Sequence, residues 1–393
     1  MGIFLTGSLV QTIILINNEN YGFPAYQGSL LALAVLAICY LANVYGAKTL
    51  PYWQNAVFLF HILAYFAYIV PIWVSAPAAT HYQVWGEFQN EGGWSNMALA
   101  ILVGQLTGIS EQVGIDTVSN CPSSFVRPDL RLTTTQTAHM AEEVKDAAKT
   151  IPRTMMAVYV LNTVLLFPAL LTVVYHIPDL DAALADSTTY PAIYVLRMSM
   201  SNIWITVILS LIGFIQCASS INYFAAVTRD LFAFARDNGM PYSAWLGTVH
   251  PRKHIPINAG QLSCVIGGLL SLIYIGSPVA FYAITSLCTV SLLMCYSMSI
   301  GSVLYRRIYA PETLPPAKFS LGRRGGIACN AAAVAFSVWA FFWSFFPQEL
   351  PITAAGFNWA SPIFVAVFVF SMFYYWWRAR HVYVGPVKEV EGR

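Results

Sequence analysis

Long apolar runs alternate with short polar segments along most of the chain. A run of about 20 apolar residues is long enough to cross the hydrocarbon core of a bilayer as a helix. By this criterion the pattern predicts nine complete spans, at about 28–46, 54–75, 96–116, 155–175, 202–226, 257–275, 279–303, 327–346 and 358–377. The apolar stretch from Gly2 to Ile16 is too short for a span and has no charged segment or cleavage site of a signal peptide. We therefore interpret it as the second half of a further helix.

The basic residues predict the orientation of these spans. If alternate loops are placed inside, 17 of the 20 Lys and Arg residues lie on one face. Positive residues are held on the cytoplasmic side of membrane proteins. The pattern therefore predicts a cytoplasmic C-terminus, and a shift by one span would reverse the distribution.

The composition supports the same class of protein. Hydrophobic residues make up 57% of the 393 residues and charged residues only 10%, with a mean hydropathy of +0.60. Soluble proteins carry about 25% charged residues. The net charge of +2 is spread over many loops, so no nucleic-acid partner is expected. The sequence has no catalytic triad, phosphate-binding loop or metal-ligand cluster, so we expect neither an enzyme nor a bound cofactor.

The span at 96–116 is rich in glycine and ends on a rare acidic residue, Asp116. One interpretation is an unwound substrate site, because transporters bind substrates at breaks in helices near the midplane. Asp116 would then face an amine or hold a proton. The site would consist of Gly114, Ile115, Asp116 and Thr117. The other interpretation is a helix whose glycines pack closely on a neighbour, with Asp116 at the membrane edge. The residues alone leave both open.

Two further groups of polar residues are candidates. His139, Glu142 and Glu143 precede the span at 155–175, either as a solvated helix end held by ion pairs or as an inner gate or proton path. The span at 202–226 contains Ser219, Ser220 and Asn222. These three side chains either make hydrogen bonds between helices or line the substrate path.

Five dispersed motifs resemble one family. They are AHMAEEVKDAAKTIPRTM (138–155), RDLFAFARDNGMP (229–241), IPIN (255–258), SLGRRG (320–325) and VYVGPV (382–387). Their sequences and their order resemble those of the fungal amino-acid, choline and GABA permeases, a branch of the amino acid–polyamine–organocation superfamily. The resemblance covers the whole chain except one segment.

The resemblance implies an all-α polytopic membrane protein with the leucine-transporter-like inverted-repeat fold. In that family twelve helices hold the substrate between broken helices 1 and 6, with uptake driven by protons. On this template the nine complete spans are helices 4 to 12. The chain is then expected to be N-terminally incomplete, without helices 1 and 2 and with only the end of helix 3, at 2–16.

The exception is the segment 118–136. Members of the family run directly from the break in helix 6 into the acidic loop, and joining Thr117 to Thr137 restores that pattern. The 19 residues correspond to 57 nucleotides, a common length for a fungal intron. Val118 and Ser119 can be encoded by GTAAGT, a donor sequence, and Gln136 by CAG, an acceptor. We therefore interpret 118–136 as an unspliced intron, with a genuine polar insertion as the alternative.

The sequence as a whole predicts a secondary active permease for amino acids or related small amines such as choline or GABA. Its expected partners are that substrate, the lipid bilayer and the proton as coupling ion, and its expected location is the plasma membrane. One alternative is a non-transporting nutrient sensor on the same fold. Another is an inactive fragment from a wrong gene structure.

Overall fold

The computed structural model describes residues 2–46, 50–112, 146–186, 190–253, 255–314, 317–347, 349–353 and 357–383. The regular secondary structure in these ranges is helical, and turns and loops connect the helices. Within them, eight helices are long and apolar enough to cross a membrane. The prediction of an all-helical membrane protein is thereby confirmed. The segment 118–136 lies outside the described residues.

The helices follow the apolar runs closely. They are α1 (Gly2–Asn17), α2 (Ala25–Tyr45), α3 (Leu50–Ser75), α4 (His81–Trp85), α5 (Met97–Gln112), α6 (Ala147–Tyr175), α7 (Leu180–Leu184), α8 (Pro191–Ser199), α9 (Asn202–Arg236), α10 (Ser243–Leu246), α11 (Ile257–Gly276), α12 (Pro278–Tyr309), α13 (Gly322–Trp343) and α14 (Ala360–Tyr374). A π-helical turn at Tyr375–Ala379 and a last helical turn at Arg380–Val382 continue α14.

The longest helix, α9, runs well past the apolar span predicted at 202–226. Its 35 residues span about 52 Å at 1.5 Å per residue. It ends where Asn238 adopts a positive φ of 60° and the Gly239 amide donates to the Phe234 carbonyl at 3.0 Å. A residue in the left-handed region followed by such a bond is a common helix stop. Residues 227–236 therefore continue the helix past the predicted span, up to this stop.

Four helices, α1, α2, α9 and α11, pack on one another to form a central bundle. Small residues bring their backbones together: a Cβ added at Gly7 of α1 would lie 3.2 Å from the Ala32 amide nitrogen of α2. Close approach at small residues is how helices associate where lipid removes the hydrophobic driving force. At one end, Ile16, Ile72 and Ile205 belong to an apolar cluster that joins α3 and α8 to this bundle.

A second group consists of α12, α13 and α14, with α5 against α13 and with α12 packed on α11. Its outer surface is strongly apolar. In α14 only Ala360 is buried, whereas Val369, Phe370 and Phe373 are all more than half exposed. A contiguous apolar surface of this kind is rare on a soluble monomer and fits contact with lipid.

The contacts between loops described here each join two loops that are predicted to lie on the same side of the membrane. Lys253 lies over the Tyr45 ring at 3.8 Å, and Lys318 pairs with Asp146 at 2.6 Å, so predicted inner loops contact inner loops. At the other end the Leu350 amide donates to the Gly92 carbonyl at 2.8 Å, which joins two predicted outer loops. The alternation of sides used in the sequence analysis is compatible with these contacts.

Gly28 of α2 gives a first prediction, because a Cβ added there would lie 2.7 Å from Gln11 Oε1 of α1. Gln11 is completely buried, and its Nε2 donates to the Tyr21 hydroxyl at 3.0 Å and to the Pro24 carbonyl at 3.1 Å. Moving the Gln11 side chain away from the added Cβ would break both of these hydrogen bonds. We expect Gly28→Ala to lower stability by about 1–3 kcal/mol, the usual cost of overpacking.

Thermal unfolding of the detergent-solubilised protein measures this effect. Gly213→Ala in α9 is the matched control, because no atom lies within 4 Å of a Cβ added there. An alanine inside a helix is favoured over glycine by about 0.5–1 kcal/mol, so the control should unfold at the same temperature or higher. Equal behaviour of the two variants would contradict the packing described for Gln11.

The ion pair between Asp146 and Lys318 gives a second prediction. Lys318 Nζ donates to Asp146 Oδ1 at 2.6 Å, and this bond holds the pKa of the Asp146 carboxyl below its ordinary value. A lowered carboxyl pKa adds stability above the ordinary pKa, and that stability is lost as the pH falls through the lowered pKa. The difference in melting temperature between wild type and Lys318→Met should therefore be constant near neutral pH and vanish in strong acid.

Unfolding curves over a pH series test this expectation. Both side chains are exposed, so the difference should be small and should shrink further in high salt. Asp146→Asn should cause the same loss, and the double variant should lose no more than either single one. Additive losses in the double variant would show that the two side chains do not interact.

Candidate functional site

Two of the three predicted groups of site residues lie outside the described residues. Gly114, Ile115, Asp116 and Thr117 follow the end of α5, whose last described residue is Gln112. His139, Glu142 and Glu143 precede Asp146, where the description resumes. The roles of all seven residues stay predictions.

The described part of α5 bears on one of the two interpretations of the glycine-rich span. A Cβ added at Gly104 or at Gly108 would meet no atom within 4 Å in the part of the chain that the structure describes. These two glycines are therefore not packed closely on a described helix. The interpretation as a helix-packing surface has no support at these two positions.

The third group lies at the middle of α9. Ser219, Ser220 and Asn222 are all buried, with exposed fractions of 8%, 2% and 4%. Ser220 Oγ donates to the Gln216 carbonyl one turn earlier at 2.9 Å. A Cβ added at Gly2 of α1 would lie 3.1 Å from this oxygen. Ser220 therefore faces the contact between α9 and α1, and its hydroxyl is used within α9.

Asn43 of α2 fixes the neighbouring turn of α9. Its Nδ2 donates to the Ile221 carbonyl at 2.9 Å and to the Cys39 carbonyl at 2.8 Å. A side-chain bond between two helices in the membrane holds them in one register, since an unpaired amide is costly in hydrocarbon. The polar turn of α9 is therefore held rigidly against α2.

A cleft of about 340 Å³ opens between α2, α3 and α9. Its volume is in the range of small-molecule sites. The lining is mostly apolar, with Asn222 as a polar group. The lining residues are Ile38, Ala42, Gly46, Trp53, Val57, Phe214, Cys217, Ala218, Ile221 and Asn222. Of the three predicted residues on α9, Asn222 alone lines this cleft.

One residue beside the cleft was missed by the sequence analysis. His61 lies in the middle of α3, and its Nδ1 is buried with no hydrogen-bond partner among the described residues. A single titratable side chain within an apolar span is a recognisable signal in a membrane protein. It could have been noted from the sequence, but only the structure shows that its Nδ1 is buried and unpaired within the described residues.

The sequence analysis also missed a polar network near the C-terminal end of α1. Gln11, Tyr21 and Gln27 are joined through the Tyr21 hydroxyl, which accepts from Gln11 Nε2 and donates to Gln27 Oε1. These three side chains connect α1, α2 and the loop between them. No cluster of His, Cys, Asp and Glu that could hold a metal ion occurs within the described ranges.

The chain matches one family of known proteins over most of its length. Residues 1–369 match the family described as amino acid permease. The match covers α1 to α13 and most of α14.

Three relatives have informative names. A choline transporter of Saccharomyces cerevisiae is 26% identical over 345 residues, which cover 86% of this chain and 56% of the relative. The GABA-specific permease of the same yeast is 24% identical, over 81% of this chain and 54% of the relative. The amino-acid permease BAT1 of Arabidopsis thaliana is 26% identical, over 98% of this chain and 73% of the relative. The chain thus spans just over half the length of the two yeast proteins.

Proposed function

Since the chain belongs to the amino acid permease family, whose members are transporters and not enzymes, we propose that it carries an amino acid or a related small amine across the plasma membrane. Choline and GABA are the first candidates, because relatives named for these substrates match most of this chain. The observation that supports the proposal best is the family match, which extends over nearly all of the helices. The family also implies the leucine-transporter-like fold.

The proposed substrate site is the helix break at Gly114, Ile115, Asp116 and Thr117. Asp116 would receive the amine, because an acid inside a membrane is costly unless a charge of opposite sign meets it. Asn222 is the described residue that best supports a place beside this site, since it is a buried polar group at the wall of the 340 Å³ cleft. Ser219 and Ser220 would support the same turn of α9 from within the bundle.

The proposed coupling ion is the proton. The proposed orientation places the C-terminus in the cytoplasm. His139, Glu142 and Glu143 would form the inner gate or a proton path, since they directly precede the inner end of α6. The basic residues support this orientation, because positive charge is held on the cytoplasmic side.

Uptake in a yeast host that lacks its own permeases for these substrates tests the function. Two forms of the protein are expressed, one with the sequence as written and one with Thr117 joined to Thr137. We expect saturable uptake of radiolabelled choline, GABA or a neutral amino acid by at least one form. A sensor would bind such a substrate, shown by a shift in melting temperature, without any uptake. An inactive fragment would show neither.

A further inference from the structure

His61 lies near the middle of α3. The helix runs from Leu50 to Ser75, so its centre is about 2 Å from His61 along the axis. It is the one acidic or basic residue of that helix apart from tyrosine hydroxyls. Binding sites for coupling ions in secondary transporters lie at this depth.

The neighbours of His61 show which way this face of α3 points. Val57 and Ala64, one turn away on either side, have exposed fractions of only 3% and 5% and pack with Ile215 of α9. Residues at i−4 and i+3 share a helix face. His61 therefore lies on the face of α3 that packs on α9, and its ring is half-buried.

One nitrogen of the His61 ring makes no hydrogen bond within the described residues. This nitrogen, Nδ1, is buried. A buried polar atom left unpaired is destabilising, and an apolar side chain would fill the position without that cost. Ionisable residues within membrane spans are therefore functional candidates. Histidine in particular gains and loses a proton near neutral pH.

Few charged groups face His61 from the helices packed on α3. Residues 211–222 of α9 include no acid or base, and Cys217 is the titratable group on this stretch. On α3 itself Tyr65 follows one turn later. Helix α8 contributes Arg197, which pairs with Asp186 at 3.1 Å, and α6 carries Arg153 near its inner end. None of these groups holds His61 in one charge state through an ion pair in the described structure.

The cleft lies on the same face of α3 as His61, on its N-terminal side. Trp53, Val57 and His61 follow one another at intervals of four residues, so they form one stripe along α3. Trp53 and Val57 both line the cleft, and His61 is the next position beyond it. The inner end of the stripe adjoins the loop that carries Lys48, which is predicted to be cytoplasmic.

We propose that His61 binds the transported proton in each cycle. This inference rests on the proposed function as a proton-coupled permease. Hydronium on the outer side gives its proton to the imidazole. The imidazole becomes imidazolium and the hydronium becomes water. After the transporter opens inward, the ring returns the proton to water on the inner side. The charge on His61 would thereby link substrate movement to the proton gradient.

The test uses the form in which Thr117 is joined to Thr137 as the parent and compares it with its His61→Gln and His61→Glu variants in proteoliposomes. Radiolabelled choline, GABA or a neutral amino acid is the probe. Uptake by the parent form should rise several-fold as the pH falls from 7.5 to 5.5, because His61 must take up a proton in each cycle. His61→Gln should lose this dependence and accumulate no substrate above equilibrium, yet still exchange internal for external substrate. His61→Glu should restore accumulation, with its pH profile displaced to lower pH.

His81→Gln is the matched control. His81 is exposed at the start of α4, and its Nδ1 lies 2.9 Å from the Tyr175 hydroxyl, outside the membrane spans. It should keep the pH profile of the parent form. Concentrative, pH-dependent uptake by His61→Gln would overturn the inference while leaving the proposed function intact.

A second measurement does not depend on transport. Nitrogen NMR of the purified chain with labelled histidine rings shows which rings change protonation, and the signal missing in His61→Gln identifies His61. We expect this ring to take up a proton as the pH is lowered. A ring that stays neutral down to pH 4 would overturn the inference. A titrating ring in a protein without any uptake would support proton binding and reject the proposed function.

Discussion

Replacing Asp116 by asparagine is expected to lower the efficiency of uptake by at least about thirtyfold. In the proposed site the carboxylate meets the amine of the substrate in a space that excludes water. Removing one partner of a buried charge pair costs about 2–5 kcal/mol. Each 1.36 kcal/mol is a factor of ten. The initial rate of uptake at low substrate concentration measures the loss, with the amount of protein at the membrane determined in parallel.

Asp181→Asn is the control for this variant. Asp181 is an exposed acid in the first turn of α7, so its charge lies in water and its loss should leave uptake unchanged. If Asp116→Asn transports as well as this control, the carboxylate of Asp116 is not part of the site. That result would favour the interpretation that Asp116 lies at the membrane edge.

Deleting residues 118–136 is expected to raise uptake at least tenfold over the form that retains them. The segment carries Arg127, Asp129 and Arg131, and placing such charges in a span costs several kcal/mol each unless they leave the bilayer. Its removal joins Thr117 to Thr137 and returns the helix break to the pattern of the family. Uptake by the two forms, at matched expression, measures the effect, and sequencing of the transcript shows which form the cell makes.

A form in which 118–136 is replaced by a scrambled sequence of the same composition is the matched control. If the segment acts only by interrupting the helix, the scrambled form should be as inactive as the retained one. Robust uptake by the chain as written, together with loss of uptake on scrambling, would identify the segment as a genuine functional insertion.

Hydropathy and charge predicted much of the architecture. The apolar runs lie within long helices because a helix in lipid must satisfy its own backbone groups over the whole hydrocarbon thickness. A predicted span marks a membrane crossing and not a helix end: α9 continues past the span at 202–226 to Arg236. The orientation stays a prediction from the distribution of Lys and Arg.

The wall of the cleft depends on tertiary packing, which the sequence pattern does not reveal. Ser219, Ser220 and Asn222 were grouped as one polar run, yet Ser220 faces α1 whereas Asn222 lines the cleft. Consecutive positions of a helix point about 100° apart, so a run of this kind is divided among different neighbours. The same limit applies to His61, whose significance comes from its unpaired nitrogen and from the α9 residues around it.

The most direct test of the account is the accumulation of substrate in proteoliposomes with an imposed proton gradient. The probes are radiolabelled choline, GABA and a mixture of neutral amino acids, and the protein is the form in which Thr117 is joined to Thr137. The account predicts that at least one probe reaches an internal concentration well above the external one, and that a protonophore collapses the difference. If every probe only equilibrates, as in liposomes without protein, the chain is not a proton-coupled permease for these substrates.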